Sequence, residues 1–341
     1  LFPEGDPPET PHVRWARPLA AGKLRVLFIL GSDHSLREPV EVAQRLDCDY
    51  DYTFAHDFEE SLYALNNREI MRRLEAGEYD VVVVGLRATE GLSRSLLKRV
   101  GPKGGVVFLS CPNIQPALPR DVKLQRAPKG HTLDLAFTAL PRHQDADGSS
   151  FTAVSAIETA EGVPGRAARI VYSRPFRCLT PNLTYEEYQR VGTGQWEGYL
   201  QAVIRAMLWA AGKAPGDPAR IEPSRGGAEL IARVPAGKKV TCRTWVTDRM
   251  DRRLGERVAR LDPGEQRVAI PLPAAAASGA ATCSAILTDE KGGVLDFASA
   301  VLQPSAESAR KSRIEDVRPA KPYFLEGELV RVAVATAGAA G

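Results

Sequence analysis

The sequence predicts an α/β unit followed by an all-β sandwich, and three observations carry that prediction. Between Leu24 and Cys111, strand-length runs alternate with segments of helical period. Between Pro218 and Gln303 the helical period vanishes, and seven short runs are separated by turn chemistry such as Asp262-Pro263-Gly264. The run Gly104-Gly105-Val106-Val107-Phe108-Leu109-Ser110-Cys111 joins a glycine turn to a buried strand and sets a cysteine where that strand should meet solvent.

Taken in order, Leu24 to Leu30 is an apolar run of strand length, and Glu38 to Leu46 carries apolar residues at helical spacing. Asp49 to Ala55 reads as a second strand. Asn66, with Glu69 three residues on, has capping-box spacing and opens a helix through Ile70, Met71 and Leu74. Val81 to Gly85 is the third strand, Leu92 to Val100 a helix with Leu96 and Leu97 inward, and Val106 to Cys111 the fourth strand. Apolar strands separated by helices indicate a parallel sheet covered on both faces.

From Pro112 to Pro164 repeated prolines exclude a long helix, and short strands are expected at Leu133 to Thr138 and Thr152 to Glu158. Ala168 to Ser173 gives a further strand. Gln195 to Ala211 is an amphipathic helix ended by Gly212, with Trp196, Tyr199, Leu200, Val203, Ile204, Met207 and Leu208 on the stripe that packs on the sheet. The seven runs of the β region are Ala219 to Glu222, Ala228 to Val234, Lys239 to Val246, Arg257 to Leu261, Gln266 to Leu272, Ala280 to Thr288 and Gly293 to Leu302. They suit a sandwich of immunoglobulin size. The expected organisation is an extended N-terminal segment (1–21), the α/β domain (22–213), the sandwich (214–303), and a linker with the start of a further β-sandwich module (304–341).

With 44% apolar and 26% charged residues in 341, the chain can bury a sizeable core. A net charge of +3 with both signs mixed throughout supplies no basic stripe for a phosphate backbone, so nucleic acid is not an expected partner. Apolar stretches such as Ala202 to Ala211 fall short of the roughly 20 residues that span a bilayer. A start at Leu1, straight into a Pro- and acid-rich stretch, suggests a processed N-terminus or a fragment of a longer chain.

The carboxyl ends of parallel strands are where ligands and nucleophiles sit. Cys111 occupies that edge, and the loops carrying Asp33 and His34, His56 and Asp57, and Arg87 to Glu90 should share it. Two histidines and two aspartates can bind a divalent metal, or with Arg87 and Glu90 hold a polar ligand. The competing reading outweighs this one: Ser35 with Glu38, and Asp57 with Glu60, are capping-box spacings that simply start helices. No metal or cofactor is assigned, and Gly31 lacks the further glycines of a dinucleotide loop. Period-two alternation turns Cys242 and Cys283 toward the sandwich interior, either as a disulfide, which would suit an oxidising compartment, or as buried free thiols. Cys111 with Cys178 is a second candidate bridge, and Asn182-Leu183-Thr184 spells a glycosylation sequon.

The order of elements through Val81 to Gly85 and Gly104 to Phe108, with Ala168 to Tyr172, Leu179-Thr180-Pro181 and the helix closing on Leu208-Trp209-Ala210-Ala211-Gly212, resembles the class I glutamine amidotransferase-like family, in particular its ThuA-like and β-galactosidase-trimerisation-like members. The resemblance covers residues 22 to 213 and implies a flavodoxin-like parallel sheet with helices on both faces. It also implies attachment to immunoglobulin-like sandwich modules in secreted polypeptides linked to carbohydrate processing. The working amidotransferases carry Gly-x-Cys-x-Gly and a later His-Pro-Glu; here Leu109 and Asn113 flank the elbow, and Arg174-Pro175-Phe176 follows the last strand. Pro112 has no N–H to offer an oxyanion and steers Cys111 away from helical geometry. The expectation is therefore a non-catalytic ligand-binding or scaffolding part of a secreted or surface multidomain protein. Its expected partners are other domains of the same chain, copies of itself or carbohydrate. The alternatives are a hydrolase-type enzyme working at the carboxyl edge, and a structural subunit pairing through strand edges.

Overall fold

The fold is that of a computed structural model, which describes residues 14–30, 37–54, 64–85, 88–100, 104–110, 118–138, 143–144, 150–151, 154–161, 163–172, 193–224, 226–248, 252–273, 281–302, 312–319 and 332–338. In the first unit β1 (Leu24–Leu30), α1 (Arg37–Arg45), β2 (Cys48–Phe54), α2 (Ala64–Glu75), β3 (Val81–Val84), α3 (Glu90–Val100) and β4 (Gly105–Ser110) alternate as the runs predict. Helix α2 begins two residues before Asn66, so that residue is not its cap. There follow β5 (Lys123–Arg126), α4 (Thr132–Thr138), β6 (His143–Gln144), β7 (Ser150–Phe151), β8 (Val154–Glu161), β9 (Arg166–Tyr172) and α5 (Thr193–Ala210).

The expected flavodoxin-like sheet is corrected. Seven strands in the order β2-β1-β3-β4-β9-β8-β5 form one mixed sheet. Strands β2, β1, β3, β4 and β9 run parallel, whereas β8 pairs antiparallel with both β9 and β5. The cause is connection length: only residues 162–165 separate β8 from β9, and a parallel crossover needs a dozen residues or more. Strand also outweighs helix among the described residues, 49% against 23%. Val26, Phe28 and Leu30 of β1 join α1, α4 and α5 residues in one core, and Leu27 and Ile29 join α2 and α3 residues in another. Helices do not cover that second face throughout, because Leu118, Val122 and Val163, all outside helices, pack against its core.

The stretch expected as a strand at Leu133 to Thr138 is instead α4. His131 Nδ1 accepts a hydrogen bond from the Leu133 N–H at 3.2 Å, and Asp134 reaches back to the Gly130 N–H at 2.7 Å. The first bond satisfies an open donor of the first turn, and the second ties down the turn that leads into the helix.

The second unit comprises β10 (Arg220–Ser224), β11 (Gly227–Val234), β12 (Val240–Thr247), β13 (Arg253–Leu261), β14 (Gly264–Pro271), β15 (Ala281–Thr288) and β16 (Val294–Leu302). All seven expected runs are strands. They form a β-sandwich of two antiparallel sheets, β10-β11-β14 and β13-β12-β15-β16, with Leu230 and Val268 of one sheet and Cys242 and Cys283 of the other in one shared core. Both thiols point inward and are free. Cys242 stands opposite Leu287 and Cys283 opposite Val246 on adjacent strands of the same sheet. Their four-residue offset is about 13 Å at ~3.3 Å per residue, beyond the roughly 7 Å Cα limit of a bridge. The Cys242–Cys283 disulfide is thereby corrected, and an oxidising compartment draws no support from this pair. Among the described residues, strands β17 (Ser312–Pro319) and β18 (Val332–Gly338) pair only with each other.

Residues 14–22 are more than an extended tail. Ala16 bridges to Leu46 and Leu19 to Val294, while Trp15 is fully buried and stacks on Phe297 of β16 with ring centroids 6.0 Å apart. Phe297 thus belongs to the core of the α/β unit.

Gly105 is the first residue of β4 rather than part of a turn. A Cβ there would collide with the Ala210 carbonyl at the end of α5, so the missing side chain is what lets that helix terminus lie on the strand. Gly105→Ala is expected to lower stability by about 1–3 kcal/mol, the range for overpacking. Gly216→Ala, at an exposed glycine with open space around it, should leave the urea midpoint in place.

Candidate functional site

The carboxyl edge of the parallel strands is where chemistry was expected. Asp33, His34, His56, Asp57, Arg87 and Cys111 all lie outside the described residues, as do Cys178 and Asn182. Glu90 is described, and it is engaged by its own helix. It is the first residue of α3, and its carboxylate accepts a bond from Arg94 at 3.1 Å, while Arg94 also pairs with Asp121 at 2.9 Å. Thr89 caps the same helix by accepting from the Leu92 N–H at 3.2 Å. Two hydroxyls at this edge are buried with no hydrogen-bond partner among the described residues, those of Ser93 on α3 and Ser110 at the end of β4. Strand alternation puts Ser110 on the same side as Phe108, toward α2 and α3. Among the described residues no group of three or more His, Cys, Asp or Glu side chains could hold a metal ion.

A second site lies at the junction of the two units, and its walls come from α5 and the sandwich. From Tyr199 onward the stripe expected on α5 is buried, but so is the side that carries Gln201 and Arg205, at 3% and 4% exposure. These two are one turn apart and face the sandwich. Arg205 donates to the carbonyl of Phe297, lies 4.4 Å above the Phe297 ring and stands 3.6 Å from the Asp296 carboxylate. Asp296 in turn accepts the backbone N–H groups of Ala219 and Phe297. Burial pushes the Asp296 carboxyl up, and Arg205 with the two N–H donors pulls it back down. Burial likewise draws Arg205 down, opposed by Asp296.

Beside this pair opens a cleft of about 280 Å³, walled by Leu135 of α4, Gln201 and Arg205 of α5, and the outer strands β10 and β16. The Gln201 Nε2 has no partner among the described residues. Arg220 and Glu222, on the β10 wall, pair with each other at 2.8 Å.

No protein-family model matches the sequence, and no curated protein matches it.

Sequence reasoning missed the junction because Gln201 and Arg205 sit on the polar side of an amphipathic helix, which ordinarily faces water. The available signal was the spacing of that polar pair within an otherwise apolar helix, directly upstream of a second unit.

The described cysteines are poorly suited to chemistry. Burial, with Asp47 and Asp49 beside it, pushes the Cys48 thiol up to about 12, and burial alone pushes Cys242 and Cys283 up to about 11. The thiolate is the reactive form. In the native protein at neutral pH these three should resist iodoacetamide, read by peptide mass spectrometry, and should react once denaturant opens the fold.

His131 holds α4 beside the cleft as a neutral acceptor, in edge contact with Trp209 at 5.6 Å. Burial lowers its pKa, helped by Arg166 and opposed by Asp134. A histidine whose folded pKa is depressed contributes stability that is complete above the unfolded value of about 6.5 and is lost as pH falls through the folded value. The urea midpoint should therefore drop between roughly pH 7.5 and pH 5. His131→Asn, which keeps a capping acceptor but does not titrate, should shrink that drop.

Proposed function

We propose that this chain is a non-catalytic scaffold within a multidomain protein, in which the α/β unit and the sandwich act as one body. The observation that carries the reading is the shared core at their junction, with Phe297 of the sandwich packed among residues of the α/β unit and Arg205 of α5 bonded into β16. A flexible tether would need none of this, since inter-domain contacts that permit motion are smaller and more polar. The resemblance to the class I glutamine amidotransferase-like family, carried by residues 22 to 213, supports a setting beside further modules linked to carbohydrate processing. The lack of an N–H at Pro112, and of the family's His-Pro-Glu, supports the absence of a working nucleophile at Cys111.

Equilibrium urea unfolding tests the scaffold. The wild-type units should unfold in one transition, coincident by tryptophan fluorescence and by far-ultraviolet circular dichroism. Asp296→Leu strands a buried guanidinium and should cost about 3–5 kcal/mol, splitting the transition in two. Adding Arg205→Met should restore much of the loss. Two separate transitions in the wild type would sink the reading.

A further inference from the structure

We propose that the cleft between α5 and the outer strands β10 and β16 binds a neutral polyol of monosaccharide size. This goes beyond the scaffold reading and does not depend on it. Three features of the cleft define the ligand.

The first is the amide of Gln201, 97% buried yet lining the cleft with its Nε2 unpartnered among the described residues. An unsatisfied buried donor costs roughly 1–3 kcal/mol, and a turn of the amide that offers this donor to a ligand in the cleft recovers that cost. Whichever way the amide is turned, a hydroxyl can answer it, because a hydroxyl both donates and accepts.

The second is charge. Each charge lining the cleft already has a partner: Arg205 stands by Asp296, and Arg220 by Glu222. An anion or a cation would have to break one of these pairs. A neutral molecule has no such requirement, and the guanidinium and carboxylate of the half-exposed Arg220–Glu222 pair can still bond to adjacent hydroxyls.

The third is size and lining. The volume of about 280 Å³ lies just below the usual span of small-molecule pockets, which begins near 300 Å³. Leu135 and Val301 supply apolar surface for the C–H faces of a ring. Strands β10 and β16 end their sheets, so one backbone edge of each carries no ladder bond to another described strand.

The test uses the full chain, labelled with ¹⁵N, and follows side-chain amide cross-peaks while D-glucose, methyl β-D-glucopyranoside and myo-inositol are added in separate titrations. At least one polyol should shift the Gln201 amide saturably, and sodium acetate at the same concentrations should not. Gln201→Leu should weaken binding of that polyol at least tenfold, followed on the backbone signals of β10 and β16. If that variant fails to fold, Val301→Phe, which narrows the cleft from a half-buried wall position and leaves the amide in place, should weaken it similarly. No saturable shift with any of the three polyols, an equal response to acetate, or unchanged affinity in a folded variant would overturn the proposal. A split unfolding transition in the wild type would sink the scaffold and leave this binding result intact.

Discussion

Helix α5 has to satisfy two cores at once, and most of the architecture follows from that. Its Tyr199, Val203, Ile204 and Met207 pack on the mixed sheet, while Gln201 and Arg205 on the other side are buried under the sandwich. A helix in that position has no solvent face on which to discharge a cation. Arg205 is therefore tolerated because Asp296, the Phe297 and Ala219 carbonyls and the Phe297 ring receive it. A buried ion pair of this kind adds little net stability, because desolvation cancels most of the attraction, but breaking one partner is costly. Its contribution is specificity: it admits one seating of β16 against α5 and penalises the rest.

The same seating explains features that are local oddities on their own. Gly105 lacks a side chain because the C-terminus of α5 arrives over the first residue of β4. Trp15 and Leu19, upstream of the first strand, are buried because the gap between α1, α5 and β16 needs filling, and Phe297 meets Trp15 there as a stacked ring. Backbone bonds complete the seam, with Val294 donating to the Pro18 carbonyl at 2.7 Å and Ala20 donating back to Val294 at 2.9 Å. The N-terminal segment is thus part of the junction.

Where each strand lies was legible from residue types; how the strands pair was less so. Val81 to Val84 is apolar at every position because its neighbours enter alternating cores, and the seven sandwich strands announce themselves by their turns. The antiparallel β8 escaped because direction is set by connector length, not by the strand's own composition. Helix α4 escaped because a histidine serves as its cap, outside the usual Ser, Thr, Asp and Asn. Alternation gave the inward aim of Cys242 and Cys283 but not their register, and register alone decides whether two inward thiols can meet. At the carboxyl edge, Glu90 was singled out for a ligand, and its helix already uses it through Arg94.

That contrast between the two sites has a physical root. At the carboxyl edge the described polar groups are mostly spent on starting helices: Thr89 caps α3 and Glu90 pairs one turn along it. Only the Ser93 and Ser110 hydroxyls remain unpartnered among the described residues, and each is small, neutral and enclosed. At the junction the charges are equally spent, but the Gln201 Nε2 is not, and its residue lines the cleft. A buried amide against a packed wall would be a plain defect, one that apolar replacement relieves. Against a cleft it is compatible with stability only if water or a ligand completes it. Since α5 must already carry a buried polar face to hold Asp296, the cost of keeping a second polar group there falls on a surface built to receive one.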